Sequence, residues 1–258
     1  MHPPLFLHLP HASSVSPEGC WEDFLVGAEE LAVEQLRLED RFTEELFGAG
    51  WPAAQAWTAP VSRLVVDVER FRSDDLESCA EIGMGAVYVR GTRGQALRRP
   101  DPDRREVLLK TYYDPHHRAC EDATAQALAT WGRCVVLDAH SYPTGPLPTQ
   151  RPDAPQPEIG LGTDTFHTPP ALRELAQKYF VDHGLVVGVD EPFNGTFVPT
   201  CFWRHDPRVH SLMVEVRRDL YMDESTGERH GGIDRVRADL FALQPLLADF
   251  AGRAVWPT

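Results

Sequence analysis

The sequence predicts one α/β domain with a central mixed, mostly parallel sheet flanked by helices. Three observations predict it. Short apolar runs alternate with longer segments of helical spacing, the arrangement that buries a sheet on both faces. At 258 residues with 42% apolar content, the chain can bury a sizeable core. It also lacks repeats and any linker long enough to separate two domains, so one domain over residues 1–258 is expected.

The elements follow in order. Leu5 to Leu9 is a short apolar run stopped by Pro10, a buried strand ending near His11. Pro17 to Glu39 sets Trp21, Phe24, Leu25, Ala28, Leu31 and Leu38 at helical intervals, and Thr43 to Phe47 adds a helical turn. Val61 to Val68 contains Leu64-Val65-Val66 and predicts a strand that ends at the charged group Asp67, Glu69 and Arg70. Ala86 to Val89 predicts a brief strand. Arg93 to Arg105, with five arginines and two prolines, predicts an exposed loop or flap. Asp122 to Trp131 is Ala-rich and helical, and Cys134 to Leu137 is an apolar strand followed at once by Asp-Ala-His. Thr144 to Pro157 holds five prolines and is irregular. Pro170 to His183 predicts a helix with prolines suited to its first turn, Leu185 to Val189 and Ser211 to Val216 predict strands, and Val236 to Phe250 closes the chain as an amphipathic helix.

Bulk properties exclude several function classes. The formal net charge of −14 argues against a general affinity for nucleic acid or an anionic membrane. A local pocket can still be basic and bind a small anionic substrate. The five cysteines, at 20, 79, 120, 134 and 201, are scattered and form no Cys-x-x-Cys pair, so they predict free thiols in a reducing compartment. No stretch approaches the roughly 18 apolar residues of a membrane span, and no secretory leader pattern is evident. The expectation is a cytoplasmic protein.

Ligands in parallel sheets gather beyond the carboxyl ends of the strands. His11, Asp67 to Arg70 and His140 all fall at predicted strand ends, which makes that edge the candidate site. His11 alone reads more readily as a capping or loop histidine, and His140 alone reads equally as a strand-end histidine satisfied by Asp138. Asp138 and His140 point to one side of their strand, so one can orient the other toward a ligand. Glu215 lies within an apolar strand, where a carboxylate is costly unless paired or functional. It is the candidate general base, with an ion pair to Arg217 or Arg218 as the ordinary alternative. Arg70, Arg90 and Arg218 are candidate clamps for a substrate carboxylate. At most one of His116 and His117 is expected to face the site, His117 by preference. Asn194-Gly195-Thr196-Phe197 predicts a turn able to present polar groups to a substrate.

Six pieces in order resemble one family: Pro10-His11-Ala12-Ser13, Asp40 to Phe47, Ser62 to Phe71, Tyr113 to His117, Asp138-Ala139-His140-Ser141 and Glu215 to Tyr221. The chain resembles the N-formylglutamate amidohydrolase (N-formylglutamate deformylase) family over almost its full length. The resemblance implies a fold akin to the zinc carboxypeptidases and aspartoacylases. It implies hydrolysis of N-formyl-L-glutamate to formate and L-glutamate, the last step of one histidine-degradation route. It also implies His11 and His140 as ligands of one zinc ion, Glu215 as base and Arg70 as binder of the substrate α-carboxylate. Two positions depart from that wider group. Where the zinc peptidases use His-x-x-Glu, the third residue after His11 is Ser14, which leaves Asp40 as first candidate for the third ligand and Glu18 as second. Glu69 stands where the relatives carry Asn. The alternatives are a related deacylase or glutamyl peptide hydrolase, and a non-catalytic binder of acidic amino acids. Metal content and a Glu215→Gln variant separate the binder from the enzymes.

Overall fold

A computed structural model describes residues 4–151 and 153–253. The expectation of one domain over 1–258 therefore reaches beyond the described residues at 1–3, 152 and 254–258. Six strands form one mixed sheet in the order β2-β1-β3-β6-β4-β5. They are β1 (Leu5–Leu9), β2 (Ala56–Thr58), β3 (Cys134–Tyr142), β4 (Ile159–Gly162), β5 (Val187–Val189) and β6 (Val209–Arg217). β2, β1, β3 and β6 run parallel, β4 is antiparallel to β6, and β5 is parallel to β4. The helices are α1 (Ala28–Leu38), α2 (Thr43–Phe47), α3 (Pro102–Leu108), α4 (Asp114–Trp131), α5 (Pro170–Asp182) and α6 (Gly232–Gly252). A π-helical turn, Leu109–Tyr113, joins α3 to α4.

Period-two alternation divides each strand between two layers. Leu5, Leu7, Leu9, Val135, Leu137, Ala139, Leu212, Val214 and Val216 pack on one face with residues of α2, α5 and α6. Phe6, Cys134, Val136 and Val209 face the other way, against Cys120, Ala127 and Leu128 of α4 and Phe197 of a following loop. On this second face the same alternation continues into His8, Asp138, His140 and Glu215, so the functional side chains are set by the parity of the strands that carry them.

Several expected elements differ in form. Val61 to Val68 is not a strand. The Ser62 carbonyl accepts from Val65 and Val66, which makes a turn, and the valines are buried against Leu108, Leu109 and Tyr113. An apolar run without alternation satisfies a buried turn as well as a strand. Ala86 to Val89 is likewise irregular, and helix α3 begins inside the expected 93–105 loop. The first helix starts at Ala28 rather than Pro17, and α4 starts eight residues before its expected beginning. Strand β4, Ile-Gly-Leu-Gly, was not expected. Its glycines permit close approach: a Cβ at Gly160 would meet the Glu191 carbonyl at 2.7 Å, and one at Gly162 would collide with the Gly195 carbonyl.

Candidate active site

The carboxyl ends of β1, β3 and β6 open into a cavity of about 400 Å³. It is lined by His11, Asp40, Glu69, Arg70, His117, His140, Asn194, Glu215 and Arg218, among others. Three elements deliver its core. His11 follows β1 by two residues, β3 carries Asp138 and His140, and β6 carries Glu215 directly opposite His140 in the parallel register. Asp40 arrives just after α1, where its backbone N–H donates to the His11 carbonyl at 3.0 Å.

His11 and His140 lie with ring centroids 5.0 Å apart and carboxylates on every side. Asp40 Oδ2 stands 3.1 Å from His140 Nδ1 and 3.6 Å from His11 Nδ1, the second too long for a hydrogen bond. On the opposite ring edges, Asp67 lies 2.9 Å from His11 Nε2 and Asp138 lies 3.2 Å from His140 Nε2. Glu69 reaches the same edges, 3.4 Å from His11 Nε2 and 3.1 Å from His140 Nε2. His11 Nδ1 is buried without a hydrogen-bond partner.

These carboxylates are themselves held. Arg63 grips Asp67 at 2.8 and 3.2 Å, and the Tyr88 hydroxyl donates to the same oxygen at 2.6 Å. Burial pushes the Asp67 carboxyl up, but Arg63 and His11 outweigh it and hold the group well below the usual range. Asp40 behaves alike, with burial overcome by His11, His140 and Arg218. His8, buried in β1 opposite Asp138, bonds that carboxylate at 2.8 Å. For His140, burial disfavours the charged form, yet Glu69, Asp138 and Asp40 hold its proton well above the ordinary histidine range. Glu215 is the contrast. Its Oε2 has no partner, and burial pushes its carboxyl up to about 8, with His140 opposing the rise and Asp40 and Glu69 adding to it.

The structure brings together His11, His140, Asp40, Glu215, Arg70, Arg218, His117 and Asn194 around this cavity. Arg90 and Glu18 are elsewhere: Arg90 donates to the Gly94 carbonyl, and Glu18 is exposed. Arg218, 2% exposed, is fully engaged by Asp40 at 2.9 Å, the Arg37 carbonyl and both oxygens of Ser141. His117 donates from Nε2 to the Val68 carbonyl at 2.7 Å and stacks on Tyr113. Arg70 keeps an unpartnered buried Nε, with Asp67 3.6 Å and Glu77 3.9 Å away. Sequence reasoning put Glu69 on this edge but not against the two histidines, and it did not place His8 or Arg63 in the site. The parity of β1 carried the signal for His8, since residues 6 and 8 share a face.

The donor set suits a divalent cation. Among the described residues, His11, Glu69 and His140 offer three ligand atoms within 4.8 Å of one another. Tetrahedral zinc, with bonds of about 2.0–2.1 Å, separates its ligand atoms by roughly 3.3 Å. Glu69 on the Nε2 edges and Asp40 on the Nδ1 edges both sit near that spacing. The orphaned Nδ1 of His11 distinguishes the two edges, because both Nε2 atoms already face the buried carboxylates of Asp67 and Asp138.

The family model for N-formylglutamate amidohydrolase matches residues 3–222. N-formylglutamate deformylase of Pseudomonas aeruginosa is 30% identical over 202 residues, covering 73% of this chain and 69% of that protein. The crystal structure of N-formylglutamate amidohydrolase from Ralstonia eutropha superposes with a TM-score of 0.83 at 25% identity, covering 98% of this chain and 96% of that one. A gene product of Agrobacterium tumefaciens shares the fold, with a TM-score of 0.58 at 19% identity over 97% and 89% of the two chains. With the strand ends, the paired histidines and the opposing glutamate already in one cavity, these likenesses assign the chain to the N-formylglutamate amidohydrolase family.

Proposed function

We propose that the protein is a zinc-dependent hydrolase of N-formyl-L-glutamate, releasing formate and L-glutamate. The observation that carries this reading is Glu215, which faces the cavity beside His140 with an unpartnered oxygen. A buried carboxyl with no structural partner is costly, and a general base justifies the cost. Family membership and the two relatives named for this activity support the substrate. As the last step of one histidine-degradation route the reaction belongs in the cytoplasm, in keeping with five free cysteines.

Zinc is best held by His11 Nδ1, His140 Nδ1 and Asp40. In that arrangement Asp67 and Asp138 take the Nε2–H groups, the role carboxylates adopt behind ligating histidines. The otherwise orphaned His11 Nδ1 then gains a partner. Arg218 acts as a positioning residue for Asp40 rather than as a clamp on substrate, because its donors are already used. A divalent ion in this place supplies Lewis acidity toward the formyl oxygen and lowers the pKa of water.

The chain's own groups do the rest. Arg70 binds the α-carboxylate, using donors that the structure leaves open. Asn194 and His117 line the wall beside it. Glu215 takes a proton from the attacking water and returns it to the departing amine nitrogen. A neighbouring cation favours the carboxylate form that the first of these transfers needs. Formate release from N-formyl-L-glutamate by zinc-loaded protein tests the reading directly; no release, or equal release from N-acetyl-amino acids and glutamyl peptides, overturns the substrate. Metal content separates the two carboxylates. Asp40→Asn should lose zinc while Glu69→Gln keeps it, and the reverse moves the ion to the Nε2 edges.

A further inference from the structure

We propose that Arg204 is the receptor for the side-chain carboxylate of the substrate and so selects N-formylated dicarboxylic amino acids. This rests on the reaction proposed above and names the residue that chooses among such substrates. Four arginines line the cavity: Arg63, Arg70, Arg204 and Arg218. Arg63 is committed to Asp67 and the Leu38 carbonyl, and Arg218 to Asp40, Ser141 and the Arg37 carbonyl. Only Arg70 and Arg204 retain donors for a ligand, and a dianion presents two carboxylates.

The two segments meet at one wall. Phe71, next to Arg70, packs edge-on against Trp203, next to Arg204, with ring centroids 5.2 Å apart. The Arg204 guanidinium lies over the Trp203 ring at 4.7 Å, which fixes its plane while leaving its edge open. Among the described residues its one ionic contact, to Asp164 Oδ2 at 3.4 Å, is long and monodentate. A bidentate carboxylate would be the stronger partner.

The backbone at Arg204 is also unusual. Its φ of 55° is left-handed, a conformation that costs a non-glycine residue about 1 kcal/mol or more. The strain is held by His167, which is fully buried. Its Nδ1–H donates to the Val209 carbonyl at 2.7 Å, so Nε2 is left to accept the Arg204 backbone N–H, also at 2.7 Å. Burial keeps this ring neutral, as the acceptor role requires. A surface arginine needs no such clamp, whereas one that must hold its direction at a cavity mouth does.

The test compares N-formyl-L-glutamate with its neutral isostere N-formyl-L-glutamine, on zinc-loaded wild type and Arg204→Gln. Arg204→Gln should lower kcat/KM for the glutamate substrate about 100-fold, mainly through KM, and for the glutamine substrate less than threefold. Arg204→Lys should restore part of the loss. Calorimetric binding of free L-glutamate and L-glutamine reads the subsite without turnover. There Arg204→Gln should weaken glutamate at least tenfold and leave the glutamine affinity in place. Equal losses on both ligands, or none on either, overturn the assignment. If wild type releases formate from neither substrate, the reaction is wrong, and the binding arm alone still decides Arg204.

Discussion

The two faces of the sheet come from alternate residues of the same strands, yet they obey different rules. Toward α2, α5 and α6 the strands present leucine, valine and isoleucine, each worth roughly 1.5–3 kcal/mol when buried. Toward α4 they begin the same way, with Phe6, Val136 and Val209, then turn to His8, Asp138, His140 and Glu215 at their carboxyl ends. The first face is tolerant, because any well-packed apolar residue serves it. The second depends on pairing, because each buried charge is bearable only beside its partner. Stability and chemistry are thus separated by parity within single strands.

The comparison is broken most severely at Glu215. Glu215→Gln keeps the shape and removes the proton carrier, so turnover of N-formylglutamate should fall by about 10³-fold or more while zinc content, by elemental analysis, stays at the wild-type level. Retained turnover would return Glu215 to an ordinary buried carboxyl. Next in size is Arg63→Gln, which strips the main partner from Asp67 and leaves a buried charge. Chemical denaturation should show a loss of about 3–5 kcal/mol. Leu212→Ala, on the opposite face, should cost about 2–5 kcal/mol in the same measurement, with kcat of the folded fraction unchanged. A change in kcat there would mean that the faces are not independent.

The smallest effect is pH-dependent. Burial holds His116 neutral, its imidazole pushed down to about 2 with His8 and His117 adding to the shift. The unfolded chain takes up a proton near pH 6.5 that the folded chain refuses, so stability falls as pH drops below 6.5 and is flat above it. From pH 6.5 to 5 the loss is about 2 kcal/mol from this residue. Denaturation midpoints for wild type and His116→Gln across that range check it, the variant showing the shallower slope.

How much of this the sequence showed depends on what each residue needs. β1, β3 and β6 were legible because largely apolar runs ended at once in Pro-His, Asp-Ala-His and Arg-Arg. Val61 to Val68 was misread because buried turns and buried strands demand the same apolar residues. β4 was invisible because Gly160 and Gly162 carry no side chain to show a pattern, although close packing requires them. His11, His140, Asp40 and Glu215 line one cavity. The engagement of Arg218 by Asp40 was not legible, since a donor's direction depends on Asp40, which follows α1 and lies 178 residues earlier in the chain. Glu69 looked like a departure from a pattern, and only geometry puts it against both histidines.

The π-helical turn at Leu109–Tyr113 adds one residue to what would otherwise be a continuous α-helix from Pro102 to Trp131. One residue is about 100° of rotation. The insertion therefore acts as a phase shifter: it sets the angle between what α3 shows the loops around Arg72 and what α4 shows the cavity through His117. Deleting Thr111 should yield a longer regular helix with full backbone hydrogen bonding and a misaligned site. Far-ultraviolet circular dichroism should then report equal or greater helicity while formate release is lost, and a shortened helix would refute that account. At this point of the fold, regularity and function pull in opposite directions, and the chain has kept the irregular one.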